Sequence, residues 1–208
     1  MTEQQAAEVA VPAPSEGLAK MLEPYRDRFE VDGPADQPVD LFMAQVRTYL
    51  EQRPELAKCR PETVLVALLE CRRFGAMLGS EYHIVPFKGL AQGIADYKLE
   101  IRLMANAGWI TTADIVYDDD TFSITNGVTS HQRDIKVDRG EPIAVYAYAM
   151  KDGQQSRVVV LDAEQVGRHL ALSKAANELR DVFWESWWLK AAVHELAKWV
   201  PWSAERLT

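Results

Sequence analysis

Residues Asp96 to Ser123, DYKLEIRLMANAGWITTADIVYDDDTFS, change hydrophobic period half-way along, and that change limits the folds open to the chain. Leu99, Leu103 and Ala107 share one helical stripe, with Ile101 and Met104 beside it. Lys98 and Arg102 are four residues apart and fall on one side of the same helix. Asn106 and Gly108 supply the stop, because glycine tolerates the left-handed conformation that ends a helix. Beyond it, Ile115 and Tyr117, then Phe122 and Ile124, alternate with polar residues across Asp118-Asp119-Asp120. That alternation predicts two strands joined as a hairpin by an acidic turn.

The flanks extend the pattern. Asp40 predicts a cap for a helix carrying Leu41, Phe42, Val46, Tyr49 and Leu50, ending near Pro54. Pro61 suits the first turn of a second helix, with Val64, Leu65, Leu68, Leu69, Arg72 and Phe74 running up to Gly79. A strand is expected from Tyr82 to Phe87, and residues 88–95 form a short connection, for which a hairpin turn is one form. On the far side, Asn126-Gly127 marks a turn, and Val128 to Asp138 reads as a loop with a weak strand at Asp134 to Asp138. Pro142 to Met150 is a firm strand, with Ile143, Val145, Ala147 and Ala149 alternating against Ala144, Tyr146 and Tyr148. Lys151 to Gly153 turns it into a second strand, Ser156 to Leu161. Asp162 and Gln165 form a capping box for the helix that begins at Ala163, and a long helix from Val182 to Trp199 ends before Pro201.

The expected class is α+β: an antiparallel sheet with a central helix, flanked by N-terminal and C-terminal helices. Strands and helices do not alternate as βαβ units and no Gly-rich phosphate loop is present, which argues against a dinucleotide fold. Residues 1–38, broken by Pro12, Pro14, Pro24, Pro34 and Pro38, predict a mobile arm with one short amphipathic helix inside Glu16 to Phe29. A single domain is expected over 39–202, with a short tail at 203–208.

Composition narrows the function classes. A chain of 208 residues at 48% hydrophobic content can bury a sizeable core. No run of about 20 apolar residues is present, so no membrane span is expected, and the first residues lack the layout of a secretory signal. Cys59 and Cys71 are too few for a disulfide framework or a zinc ribbon. The net charge is -8, which opposes any overall attraction to nucleic acid. The charge is uneven: residues 1–70 hold 7 Lys/Arg against 13 Asp/Glu, and residues 71–208 hold 16 against 18.

Several short motifs stand in a fixed order. Gly79 precedes Glu81-Tyr82-His83-Ile84-Val85-Pro86-Phe87; Tyr97-Lys98 and Leu103 through Gly108 follow. Then come Val116 to Phe122, Asn126-Gly127 with His131, Ala144 to Ala149 with Asp152-Gly153, Ser173-Lys174, and Lys190 with Lys198-Trp199-Val200-Pro201. In this order and spacing, from about Leu41 to Pro201, the chain resembles the RecT family of phage and prophage single-strand annealing proteins. The resemblance implies the single-strand annealing fold, binding of single-stranded DNA, and annealing of complementary strands in homologous recombination. It implies homo-oligomeric rings or helical filaments, no nucleotide hydrolysis, no cofactor and no enzymatic activity. As partners it implies single-stranded DNA, the annealed duplex, a phage exonuclease and a host single-strand binding protein, in the bacterial host cytoplasm. With the chain ending just past Pro201, no separate C-terminal partner-binding tail is expected. The chain departs from the family pattern at Ala105-Asn106, where the family has two arginines, and at Ala191 and His194-Glu195 in the last helix. Those departures favour the alternative of an oligomeric interaction protein of the same fold with weak or no DNA binding.

Annealing needs cations along a groove to offset phosphate repulsion. Lys98 and Arg102 fit that need; their plain alternative is a solvated helix face paired with Asp96 or Glu100. Ser173 beside Lys174 suits a phosphate, against a plain polar loop. Lys190 and Lys198, two turns apart, make either a ladder of phosphate contacts or an exposed rim. The Tyr97 hydroxyl can reach a phosphate, and His131 can touch DNA. Arg72 and Arg73 form either a groove edge or an intersubunit salt bridge to the acidic N-terminal helices. Trp184, Trp187, Trp188 and Trp199 offer base stacking, although their helical spacing favours core or interface positions for at least two. Asp118 to Asp120 lack calcium-loop spacing and read as a solvated hairpin tip, and no metal site is expected from them. His83, His131, His169 and His194 lack zinc spacing, and no nucleophile, base and orienter are grouped for catalysis.

Overall fold

The computed structural model describes residues 14–134, 136–171 and 183–205. The chain divides after Ala95 into two compact units, Met1–Ala95 and Asp96–Thr208, a division that the hydrophobic pattern does not announce. The class is α+β with antiparallel sheets, as the sequence predicts.

The first unit holds α1 (Pro14–Leu22), α2 (Arg26–Asp32), α3 (Val39–Glu51), α4 (Pro61–Arg73) and the strands β1 (Tyr82–Phe87) and β2 (Leu90–Ala95). The short helix expected inside Glu16 to Phe29 is present and longer than expected: residues 14–32 are helical, because Leu18, Leu22 and Phe29 find apolar partners and are buried. Such burial offsets the ordering entropy that the proline-rich composition suggests would win. Helix α3 begins one residue before Asp40, with Pro38 at the cap position; Asp40 sits in the first turn and pairs with Arg26 at 2.7 Å. Pro61 does open α4, where its missing N–H costs nothing. Strands β1 and β2 pair from Tyr82↔Ala95 to Phe87↔Leu90, so residues 88–95 are a turn and a full strand. Lys88 and Gly89 both take positive φ (51° and 76°), which sets the tight hairpin turn. Gly93 faces Tyr82: a Cβ there would lie 1.9 Å from the tyrosine hydroxyl, which donates to Glu70.

The second unit holds α5 (Tyr97–Asn106), β3 (Ile110–Tyr117), β4 (Thr121–Thr125), β5 (Val128–Gln132), β6 (Pro142–Lys151), β7 (Gln154–Gln155), β8 (Val159–Asp162), α6 (Ala163–Ala171) and α7 (Trp184–Ala197). Strand β6 is central, with β3 on one side and β7 and β8 on the other, all antiparallel. Its two faces do different work, because side chains alternate along a strand. Val145, Ala147 and Ala149 are buried with Met104 of α5, Val166 of α6 and Ala192, Val193 and Leu196 of α7. The small alanines let helix α7 lie close to the sheet. On the opposite face, Tyr146 is covered by Phe122 and His131, with ring centroids 5.0 and 5.5 Å away.

Three sequence expectations change. Strands β3 and β4 do not form a hairpin: β3 pairs with β6 from Ile110↔Met150 to Tyr117↔Pro142, and β4 pairs with β5. The long apolar alternation of β6 is the better partner for β3, and a register shift at Val116/Tyr117 turns the chain away before β4. The strand expected at 134–138 lies instead at Val128–Gln132. Asp134 and Asp138 accept backbone N–H groups two residues on, from Lys136 at 2.9 Å and Gly140 at 3.2 Å, and such local bonds compete with a ladder. The strand expected over Ser156 to Leu161 is split, because Ser156 donates its N–H to the Ala149 carbonyl at 2.8 Å while its Oγ accepts from the Ala149 N–H at 2.9 Å. The capping box of α6 stands as expected: Gln165 N–H donates to Asp162 Oδ1 at 2.7 Å and Asp162 N–H to Gln165 Oε1 at 2.9 Å.

Candidate nucleic-acid interface

The start of α5 gathers several of the residues singled out from sequence. Asp96 caps the helix, its Oδ1 accepting the Lys98 N–H at 3.1 Å, and its Oδ2 lies 3.4 Å from Lys190 Nζ of α7. The same ammonium sits over the ring of Tyr97, 5.1 Å from its centroid, and 5.3 Å from that of Trp187. Tyr97, Lys98 and Lys190 therefore surround one helix N-terminus, where backbone N–H groups also point outward. Lys98 is exposed, and among the described residues its ammonium has no ion pair. Arg102 lies one turn further along α5 and is half-buried.

The other edge of α5 faces α7 through acids. Glu100 Oε1 lies 2.7 Å from His194 Nδ1, so Asp96–Lys190 and Glu100–His194 form two rungs between the helices. The hydrogen bond to Glu100 raises the His194 pKa above its ordinary value. Among the described residues, the buried Glu100 Oε2 has no hydrogen-bond partner. Lys198 pairs with Glu195 in its own helix, about 12 Å along α7 from Lys190. The phosphate ladder expected of Lys190 and Lys198 is thus met by two cations that each hold a carboxylate.

Other candidates stand elsewhere. Arg72 is 2% exposed, and no groove edge can be made from it. Its Nε donates to the Phe29 carbonyl at 2.8 Å, one terminal nitrogen donates to the Gln37 carbonyl at 2.7 Å, and the guanidinium lies over Phe42. Gly33 is required beside it, since a Cβ would fall 2.0 Å from the guanidinium carbon. Arg73, its neighbour, points out and is exposed. His131 is also enclosed: its side chain is 6% exposed, with Nε2 3.0 Å from Asp120 Oδ2 and Nδ1 3.1 Å from the Tyr146 hydroxyl. It fastens the β4–β5 hairpin to the sheet, on the face opposite α5 and α7. Ser173 and Lys174 lie outside the described residues.

The acidic turn holds a network that sequence reading missed. Asp118 and Asp119 are exposed, as a solvated tip should be, but the Asp120 side chain is 2% exposed. Arg139 donates to both of its oxygens, and the Tyr117 N–H donates to Oδ2 at 3.0 Å. The Arg139 bonds above all hold the Asp120 carboxyl far below the usual carboxylate range. Arg139 also stacks on Tyr117, 4.1 Å from the ring centroid. The only signal in the sequence is an arginine 19 residues beyond an aspartate, and nothing local links them.

The tryptophans divide by burial. Trp184 and Trp188 pack edge to face at 5.8 Å against the core, whereas Trp199 is 59% exposed. The Arg157 guanidinium covers Trp199 at 4.2 Å from the ring centroid. Among the described residues, no group of three or more His, Cys, Asp or Glu could hold a metal ion, and no helix is long and apolar enough to cross a membrane.

Compared with known families, residues 40–208 match the sequence model of the RecT family. No curated protein matches the chain.

Proposed function

The chain belongs to the RecT family, and from that premise we propose that it binds single-stranded DNA and anneals complementary strands, without ATP, as an oligomer on DNA. Membership itself gives a general role in single-strand annealing and recombination. The observation that carries the proposal is the family match across residues 40–208. The cluster at the start of α5 supports it chemically. Lys98 offers an exposed ammonium without an ion pair among the described residues, Lys190 adds a second cation at the same helix N-terminus, and the Tyr97 hydroxyl can donate to a phosphate. Arg102, one turn on, and Ser173 with Lys174 extend the proposed contact set, and Lys198 belongs to it as an outer cation; Arg73 is proposed separately, as an exposed cation of the first unit. The absence of a Gly-rich phosphate loop fits positioning without hydrolysis. Backbone contacts of this kind leave base edges free to pair, which annealing requires.

A second reading keeps the fold and the oligomer but weakens DNA binding. One observation favours it: Arg133, Arg139, Arg168, Lys190 and Lys198 each hold a carboxylate, and so offer less net charge to a phosphate. A direct measurement separates the two. Two complementary fluorescent oligonucleotides are mixed with excess protein at low salt without nucleotide, and quenching is followed. Annealing well above the spontaneous rate is expected. A spontaneous rate, with an intact oligomer and no gel shift, supports the second reading and removes the first.

A further inference from the structure

We propose, resting on the single-strand reading above, that Arg157 and Trp199 form a stacking site for one unpaired nucleobase, with Arg157 gripping the adjoining phosphate. Trp199 follows helix α7 and is 59% exposed, with Arg157 over one ring face. The guanidinium carbon lies 4.2 Å from the ring centroid, and a guanidinium stacked on an aromatic face keeps the N–H donors of its edge available to a second partner. Such an edge matches two phosphate oxygens. Among the described residues Arg157 has no carboxylate partner, in contrast to Arg133, Arg139 and Arg168.

Arg157 also lines a cleft of about 570 Å³ between the Asn126-Gly127 turn and the Gln154–Val158 segment. None of its lining residues is acidic, although the whole chain carries a net charge of -8. Ile124 and Val128 give it apolar, exposed lips, and Gln154 and Ser156 give it polar groups. The wall is held in place: Gln155 Nε2 donates to the Gly127 carbonyl at 2.9 Å and to Thr129 Oγ1 at 3.3 Å, tying the hairpin turn to the strand β7. A single cation, an open indole face and a cleft without acids suit one nucleotide of a flexible strand. A duplex base pair has no free face to offer, so the ligand class is single-stranded nucleic acid.

The test uses the full chain and fluorescence anisotropy with a thymidine oligonucleotide, and the same oligonucleotide carrying abasic sites. Trp199→Ala should weaken binding to the intact strand by roughly 5- to 150-fold, the loss of one stacked base. It should bind the abasic strand as tightly as wild type does. Trp199→Phe should restore most of the affinity, and Arg157→Ala should lower the salt slope by about 0.7. Wild-type binding with Trp199→Ala within twofold of it overturns the stacking site and leaves the single-strand reading standing. Equal losses on intact and abasic strands overturn it too, since they mark a structural role. A Trp199→Ala chain that binds DNA normally but changes oligomeric state assigns the indole to a protein contact and overturns it. If wild type binds no single strand at low salt, the functional reading fails and the stacking site with it.

Discussion

At Asp120, one carboxylate joins three parts of the second unit: the Tyr117 backbone, Arg139 and His131. The Arg139 bonds, with those of Tyr117 and His131, favour its ionised form, which is why its pKa lies below the ordinary carboxylate value of 3.8. A carboxylate depressed in the folded state stabilises above its unfolded pKa and loses that contribution as pH falls through the folded value. Asp120→Ala should cost about 3 kcal/mol at neutral pH, since it leaves Arg139 and His131 without their partner. Thermal melts from pH 6 down to pH 2 should show the wild-type advantage shrinking below about pH 4. An equal difference at all pH values would remove the charged pair as the cause. Arg72 and Arg73 make the same point about context. They are adjacent and chemically identical, yet one closes three backbone and ring contacts in the interior and the other meets solvent. A cation pair in a sequence does not say which member faces out; the helix phase relative to Phe29 and Phe42 does.

Helices α5 and α7 are joined by rungs of opposite charge, Asp96–Lys190 and Glu100–His194, four residues apart on each helix. The Glu100–His194 rung carries a titratable imidazole. His194 has a raised pKa through its bond to Glu100, with Lys198 opposing the shift and Glu195 aiding it. Its contribution is complete below the unfolded histidine pKa and disappears as pH rises through the higher folded value. The melting temperature of wild type should therefore fall between pH 6 and pH 9 relative to His194→Gln. With the histidine side chain 58% exposed, the effect should be small and weaken further in high salt. No difference between the two proteins across that range would show the rung to be energetically silent. The elements themselves were largely legible. The α5 stripe, the β6 alternation, the β1 strand and the α6 capping box all follow from local spacing, because each is set by residues within a turn or two of one another.

Across the whole chain, a molecule with net charge -8 is proposed to hold a polyanion, which demands that a few cations act locally. Lys98 is the test case. Lys98→Ala should weaken single-strand binding and lower the slope of log affinity against log salt by about 0.7, one released counterion on a single strand. Lys198→Ala, whose ammonium is held by Glu195, should change the slope less. Equal slopes for wild type and Lys98→Ala would take the α5 cluster out of the DNA path. The candidate site was legible only in part. Tyr97, Lys98 and Lys190 do meet at one helix end, but His131 serves the hairpin, Arg72 the interior, and Arg157 with Trp199 went unpaired in the sequence.

The amino-acid order alone determined the α+β class, most element positions and membership of the RecT family, since each depends on periods and motifs repeated over short distances. Tertiary structure decided which strand β3 would choose, which of three adjacent aspartates would be buried, and which cations would be neutralised. Those outcomes turn on contacts between residues far apart in the chain, whose worth depends on burial and on the partner each group finds.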